Sequence, residues 1–207
     1  ILLKDVAKRH KVRNTSDLYD LATYLLSNFC NPISANDLAA ELGLSSVTTT
    51  KKYCDYLNEP YLFFYLPRFN NKLKLMNKAP KKVYVVDNGF VQSTAFNLSE
   101  NLGRLLENQV FVELLRRGYT PGQTLFYYRT RNDKEIDFVT RKGTKVEQLL
   151  QVCYDMTSEK TRKRELDALV EAAEELHCDN LLVITNEEQE EIEWRNKSIN
   201  LISVGNF

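Results

Sequence analysis

The chain has 207 residues, 43% hydrophobic and 11% aromatic, enough to bury one large core or two small ones. Its 28 Lys+Arg balance 28 Asp+Glu, so the whole chain lacks the basic excess usual in nucleic-acid binders. No apolar run reaches the roughly 18 residues a membrane span needs, and no signal-peptide pattern is seen, so a cytoplasmic protein is expected.

Charge is unevenly spread: residues 1–100 carry 13 Lys+Arg against 9 Asp+Glu, and residues 101–207 carry 15 against 19. Only the first half leans toward a phosphate-bearing partner. Cys30, Cys54, Cys153 and Cys178 form no C-x-x-C pair, which points to reduced thiols rather than zinc or a redox dithiol. The sequence starts at Ile1 rather than Met, and a piece of a longer protein is expected.

Helical spacing of Leu18, Leu21, Leu25 and Leu26 predicts a first helix capped by Ser16. Ser34 precedes a short helix through Leu38, Ala39 and Leu42, stopped by Gly43. Ser45 or Ser46 opens a third, running through Val47, Tyr53 and Leu57. Two compact helices around a glycine turn form the helix-turn-helix pattern. The aromatic run Tyr61–Leu66, a turn at Asn70-Asn71 and Leu73–Leu75 read as a hairpin, hence a wing.

Residues 12 to about 80 thus resemble a winged helix, and residues 1–80 are taken as the first domain. In such folds the third helix enters the major groove of double-stranded DNA. Its candidates are Ser46, Thr48, Thr49, Thr50, Lys51 and Lys52, hydroxyls for phosphates or bases and ammoniums for phosphates. The competing reading is a solvated face, or a surface for protein.

Residues 80–86 predict another strand, ended by the Asp87-Asn88-Gly89 turn, and polar Gln92–Asn101 reads as a linker. From Leu102, the spacing of Leu106, Val110, Phe111 and Leu114 predicts a helix closed by Gly118. Glu107 falls on its core-facing stripe, where a carboxylate is costly unless paired or bound to metal.

Strands follow at Thr124–Thr130, Glu135–Thr140 and Lys145–Tyr154. Strict alternation would put Glu135, Asp137 and Val139 on one face, with Ile136 and Phe138 on the other. Leu149, Gln151 and Cys153 share a face of the third strand. A helix over Ser158–His177, an apolar strand at Asn180–Thr185 and a terminal hairpin complete the chain.

Glu107, then Glu135-Ile136-Asp137-Phe138, then Gln151-Val152-Cys153 resemble the acidic frame of a PD-(D/E)xK nuclease domain with its last motif altered. The fold class expected is mixed α/β (α+β). It places a winged helix before a restriction-endonuclease-like core of helix, three strands, helix and strand over 81–207.

Further short stretches sharpen the resemblance: Val83–Phe90, Leu105–Asn108, Tyr128–Thr130 and Thr161-x-x-Arg164-Glu165. Together they are similar to domain of unknown function 4143, a module that follows AAA+-type ATPase domains. The resemblance implies an ATP-binding domain ahead of Ile1, itself a partner of this region. No phosphate-binding loop occurs in the chain, so ATP would bind only in that domain and no cofactor is expected here.

The resemblance gives Glu107 and Asp137 as metal ligands able to hold Mg²⁺ weakly. Gln151 offers only an uncharged carbonyl, and Cys153 cannot replace an ammonium. A degenerate frame of Glu107, Asp137, Gln151 and Cys153 is therefore expected. The reading is a non-catalytic nucleic-acid- or partner-binding region of an ATPase. The alternatives are a weak metal-dependent nuclease and a protein-binding adaptor without DNA affinity.

Overall fold

The computed structural model describes residues 2–94 and 102–207. Side-chain caps set the helices of the first half. Asn14 accepts from the Asp17 N–H at 3.4 Å and opens α1 (Thr15–Ser27), so the expected cap, Ser16, lies inside the first turn. Ser34 Oγ accepts from Asp37 N at 3.2 Å to open α2 (Ala35–Glu41). Ser46 Oγ accepts from Thr49 N at 3.1 Å to open α3 (Val47–Asn58). Each bond satisfies one of the N–H groups a helix start leaves unpaired. Gly43 follows α2 at φ +61°, a conformation that favours glycine.

A short β1 (Pro32–Ile33) precedes α2; β2 (Phe63–Pro67), α4 (Leu73–Lys78) and β3 (Lys81–Val85) follow α3. All three strands pair antiparallel in the order β1-β3-β2. Leu73–Leu75, expected as the second hairpin strand, instead begins helix α4, and the partner of β2 is β3. Asn70 Oδ1 accepts from Lys72 N at 2.8 Å and turns the chain there, and the Leu75 and Met76 N–H groups bond back to Lys72 O. Leu73 and Leu75 stay exposed, so their alternation marks no buried face. A boundary after residue 80 would remove the central strand of this sheet. The expected linker Gln92–Asn101 begins inside α5 (Asn88–Thr94), and its remainder, 95–101, lies outside the described residues.

The second half opens with α6 (Leu102–Arg116) and continues through β4 (Leu125–Arg129), β5 (Glu135–Lys142), β6 (Lys145–Val152), α7 (Glu159–Leu176), β7 (Leu181–Thr185), β8 (Glu190–Trp194) and β9 (Lys197–Ser203). The six strands form one mixed sheet in the order β4-β5-β6-β7-β9-β8. Its β6, β7 and β9 run parallel, and the crossover from β6 to β7 is α7.

Both faces of this sheet are covered, and the period-two alternation shows it. Leu149, Leu181 and Val183 join α7 residues Leu166, Leu169 and Ala173 in one core. Leu150, Leu182 and Ile184 join α6 residues Val110, Phe111 and Leu114 in the other. That second core also takes in Leu21, Leu25, Phe63, Val83, Tyr84 and Val85 from the first half, so one apolar interior spans both halves.

Alternation fails at one place. Phe126 pairs with Val139, yet Tyr128 pairs with Ile136: two steps on β4 face three on β5. This is a β-bulge around Asp137-Phe138. Ile136 and Val139 therefore share the α7 core while Phe138 packs with Tyr84 and Phe111, which corrects the expected faces. Among the described residues no helix is long and apolar enough to cross a membrane.

Candidate functional site

Successive side chains of β3 point to opposite faces, so Lys82 and Tyr84 point the same way, toward α6 and β5. Lys82 is 1% exposed. Its ammonium donates to Glu107 Oε1 of α6 and to Asp137 Oδ1 of β5, each at 2.8 Å, and pairs with Glu135 Oε1 at 2.8 Å. An ammonium carries three protons, and here three carboxylate oxygens surround it. The Tyr84 hydroxyl donates to the same Glu107 oxygen at 2.6 Å.

Two of the remaining oxygens also have partners. Asp137 Oδ2 accepts from the Val152 N–H at 2.9 Å, and Glu135 Oε2 accepts from Arg129 Nε at 3.3 Å. The bulge lets the carboxylate of Asp137 meet Lys82 while Phe138 still enters the aromatic core. Burial drives the Glu107 pKa up to about 7, and Asp137 adds to the rise against the opposing pull of Lys82 and Tyr84. For Lys82 burial acts downward, but Asp137, Glu107 and Glu135 outweigh it and hold the ammonium charged well above its usual range.

Gln151 and Cys153 stand apart from this cluster. The Gln151 carbonyl accepts from Asp137 N at 3.2 Å, and its amide donates to Glu165 Oε2 of α7 at 2.7 Å. Arg164 bonds the other oxygen of Glu165 through Nε at 2.9 Å and through Nη2. Cys153 is buried in the α7 core, and burial, followed by Glu165, pushes its thiol up to about 11. It is a protonated thiol at neutral pH.

The Mg²⁺ implied by the resemblance needs oxygens near 2.1 Å in octahedral array. The four residues meant to frame it do not fit. Glu107 and Asp137 surround a nitrogen at 2.8 Å, the Gln151 oxygen is taken by a backbone N–H, and Cys153 points into a core. No group of three or more His, Cys, Asp or Glu among the described residues is arranged to hold a metal ion. Sequence reasoning gave no role to Lys82, Tyr84 or Arg129. The available signal was Lys82 two residues from Tyr84 in the strand Lys81–Val85, which places both on one face.

On α3, Thr48, Lys51 and Lys52 are exposed. Thr49 Oγ1 is engaged with Ser45 and Ser46, and buried Thr50 donates to Ser46 O at 3.0 Å, so neither hydroxyl faces outward free. Lys51 also lines a cavity of about 460 Å³ together with Lys78, Lys81 and Asp55. None of these three lysines makes an ion pair among the described residues.

Two families match the chain. The family described as "Domain of unknown function (DUF4143)" matches residues 102–207, and "Domain of unknown function (DUF8612)" matches residues 1–101. An uncharacterized protein of Methanocaldococcus jannaschii, MJ1544, is 35% identical over 185 residues, 87% of this chain and 40% of that protein. An uncharacterized protein of Haemophilus influenzae is 33% identical over 150 residues, 70% of this chain and 36% of its own length. The chain thus spans well under half the length of these curated relatives. A solved half-complex of Thermococcus gammatolerans McrB AAA+ hexamers with bound McrC is 11% identical at a TM-score of 0.33, covering 90% of this chain and 70% of that one.

Proposed function

Because the chain belongs to the DUF4143 family, we propose that it is a non-catalytic nucleic-acid-binding region of a larger, ATP-dependent protein. It combines a winged-helix-like first half with a nuclease-like second half whose site no longer works. The observation that carries the loss of catalysis is the state of Gln151 and Cys153. The amide is held between Asp137 N and Glu165, and the thiol is buried and protonated, so neither position supplies charge to the acidic cluster. Hydrolysis of a phosphodiester needs charge aimed at the phosphate oxygens as they develop it.

Support for the first half is its element order, with α2 and α3 flanked by strands of one antiparallel sheet, and the exposed Thr48, Lys51 and Lys52 on α3. Lys78 and Lys81 extend that basic surface beside the cavity. The ATPase partner rests on the family resemblance and on the relatives' greater length, which leaves room for a further domain. Four free cysteines suit a reducing, cytoplasmic setting.

Incubating the purified chain with labelled single- and double-stranded DNA and RNA, with Mg²⁺ or Mn²⁺, tests the central point. The expected result is no cleavage. Turnover that disappears in Asp137→Ala would establish the weak-nuclease alternative instead.

A further inference from the structure

We infer that the Lys82 ammonium is itself the cation of the acidic site, a tethered replacement for a divalent ion that fastens the β1-β3-β2 sheet to the six-stranded sheet. The inference deepens the non-catalytic reading and rests on it. One nitrogen joins three elements: β3 through its own backbone, α6 through Glu107, and β5 through Asp137 and Glu135. The carboxylates come from residues 25 and more positions away in sequence, so their meeting depends on both halves being folded.

A buried ammonium is costly to desolvate, and burying carboxylates with it is repaid only when the hydrogen bonds are complete. Here they are complete on the cation's side, with three protons and three oxygens. A divalent ion could enter only by displacing a group that the backbone of β3 returns to the same place. The effective concentration of a tethered group greatly exceeds that of a free ion.

The clasp predicts coupling rather than simple loss of packing. Lys82→Met keeps the length of the side chain and removes the charge, leaving three carboxylates facing one another. Its melting temperature at neutral pH should fall by on the order of 10 °C. Asp137→Asn added to Lys82→Met should recover a large part of that fall, because the partner charge has gone too. Wild-type melting should be unmoved by EDTA, Mg²⁺ or Mn²⁺.

Additive losses in the Lys82→Met/Asp137→Asn double variant, or a rise of the wild-type melting temperature with Mn²⁺, would overturn the clasp. If Lys82→Met does not fold, Lys82→Met/Glu107→Gln/Asp137→Asn decides the matter. A folded triple variant supports the clasp, and an unfolded one shows that charge is not what this cluster contributes. The outcome is separable from the cleavage assay: an inert wild type with additive losses refutes the clasp alone, and metal-dependent turnover refutes the non-catalytic reading.

Discussion

Asn108 closes both backbone hydrogen bonds of Val85: its Oδ1 accepts from the Val85 N–H at 2.8 Å, and its Nδ2 donates to the Val85 carbonyl at 2.9 Å. A side chain of α6 thereby acts as one more strand at the end of β3. Its Nδ2 also donates to Asn88 Oδ1 at 2.9 Å. Asn108 is 1% exposed, so these bonds are shielded from water in the folded chain. Asn108→Ala should cost about 2–4 kcal/mol, since it leaves buried backbone donors and acceptors unpaired. Urea denaturation should show a lower midpoint at unchanged slope. A loss below about 0.5 kcal/mol would mean that the strand end finds other partners.

The stability of the chain should depend on pH through Glu107. Its folded pKa, about 7, lies above its ordinary value of 4.5, so between those values the folded state holds more protons than the unfolded. The stability this group contributes is full below about 4.5 and is lost as pH rises through about 7. Glu107→Gln cannot titrate. Compared with wild type, this variant should gain ground between pH 5 and pH 8, as read by denaturant midpoints at the two values. Parallel pH profiles for the two proteins would rule the effect out.

Much of the second half could be read from its sequence because each signal there was local. Glu107 interrupts an apolar stripe at helical spacing, and Asn180–Thr185 is apolar enough to demand burial on both faces. Lys82 could not be weighed in the same way, because a lysine in a strand normally reads as solvated. Only partners at positions 107, 135 and 137 make it a core residue. The faces of β5 depart from strict alternation for a related reason: a bulge is decided by pairing with β4, and nothing within Glu135–Val139 announces it. Leu73 and Leu75 alternate like a strand, yet the turn made by Asn70 sends them into a helix.

Placing a carboxylate at position 151 should harm rather than help. Gln151→Glu exchanges the donor that serves Glu165 for a second buried carboxylate against it. At pH 8 a destabilisation of about 1–3 kcal/mol is expected, with no gain of nuclease activity. At pH 5 an introduced carboxyl that takes up a proton can donate in place of the amide, so the penalty should shrink. Thermal melts at both pH values check this, and a Gln151→Glu protein as stable as wild type at pH 8 would contradict it.

Nucleic-acid binding, if carried by α3, should be electrostatic and modest. The exposed Lys51 and Lys52 are its main charges, so duplex affinity should lie in the roughly 10⁻⁴–10⁻⁶ M range and fall steeply with salt. Lys51→Glu/Lys52→Glu should weaken it at least tenfold and flatten the salt dependence. Fluorescence anisotropy at two ionic strengths measures both, and equal binding by the two proteins would move the interface elsewhere.

The seam between the two family matches, at residues 101 and 102, runs through chemistry rather than around it. Lys82 lies on one side and Glu107 and Asp137 on the other, with an aromatic stack of Tyr84 on Phe111 crossing the same line. A hybrid that takes its first half from one relative and its second from another would therefore inherit an ammonium without its carboxylates, or carboxylates without their ammonium, unless both parents agree at these positions. Recombination at this seam should give soluble progeny only when that charge pairing travels intact.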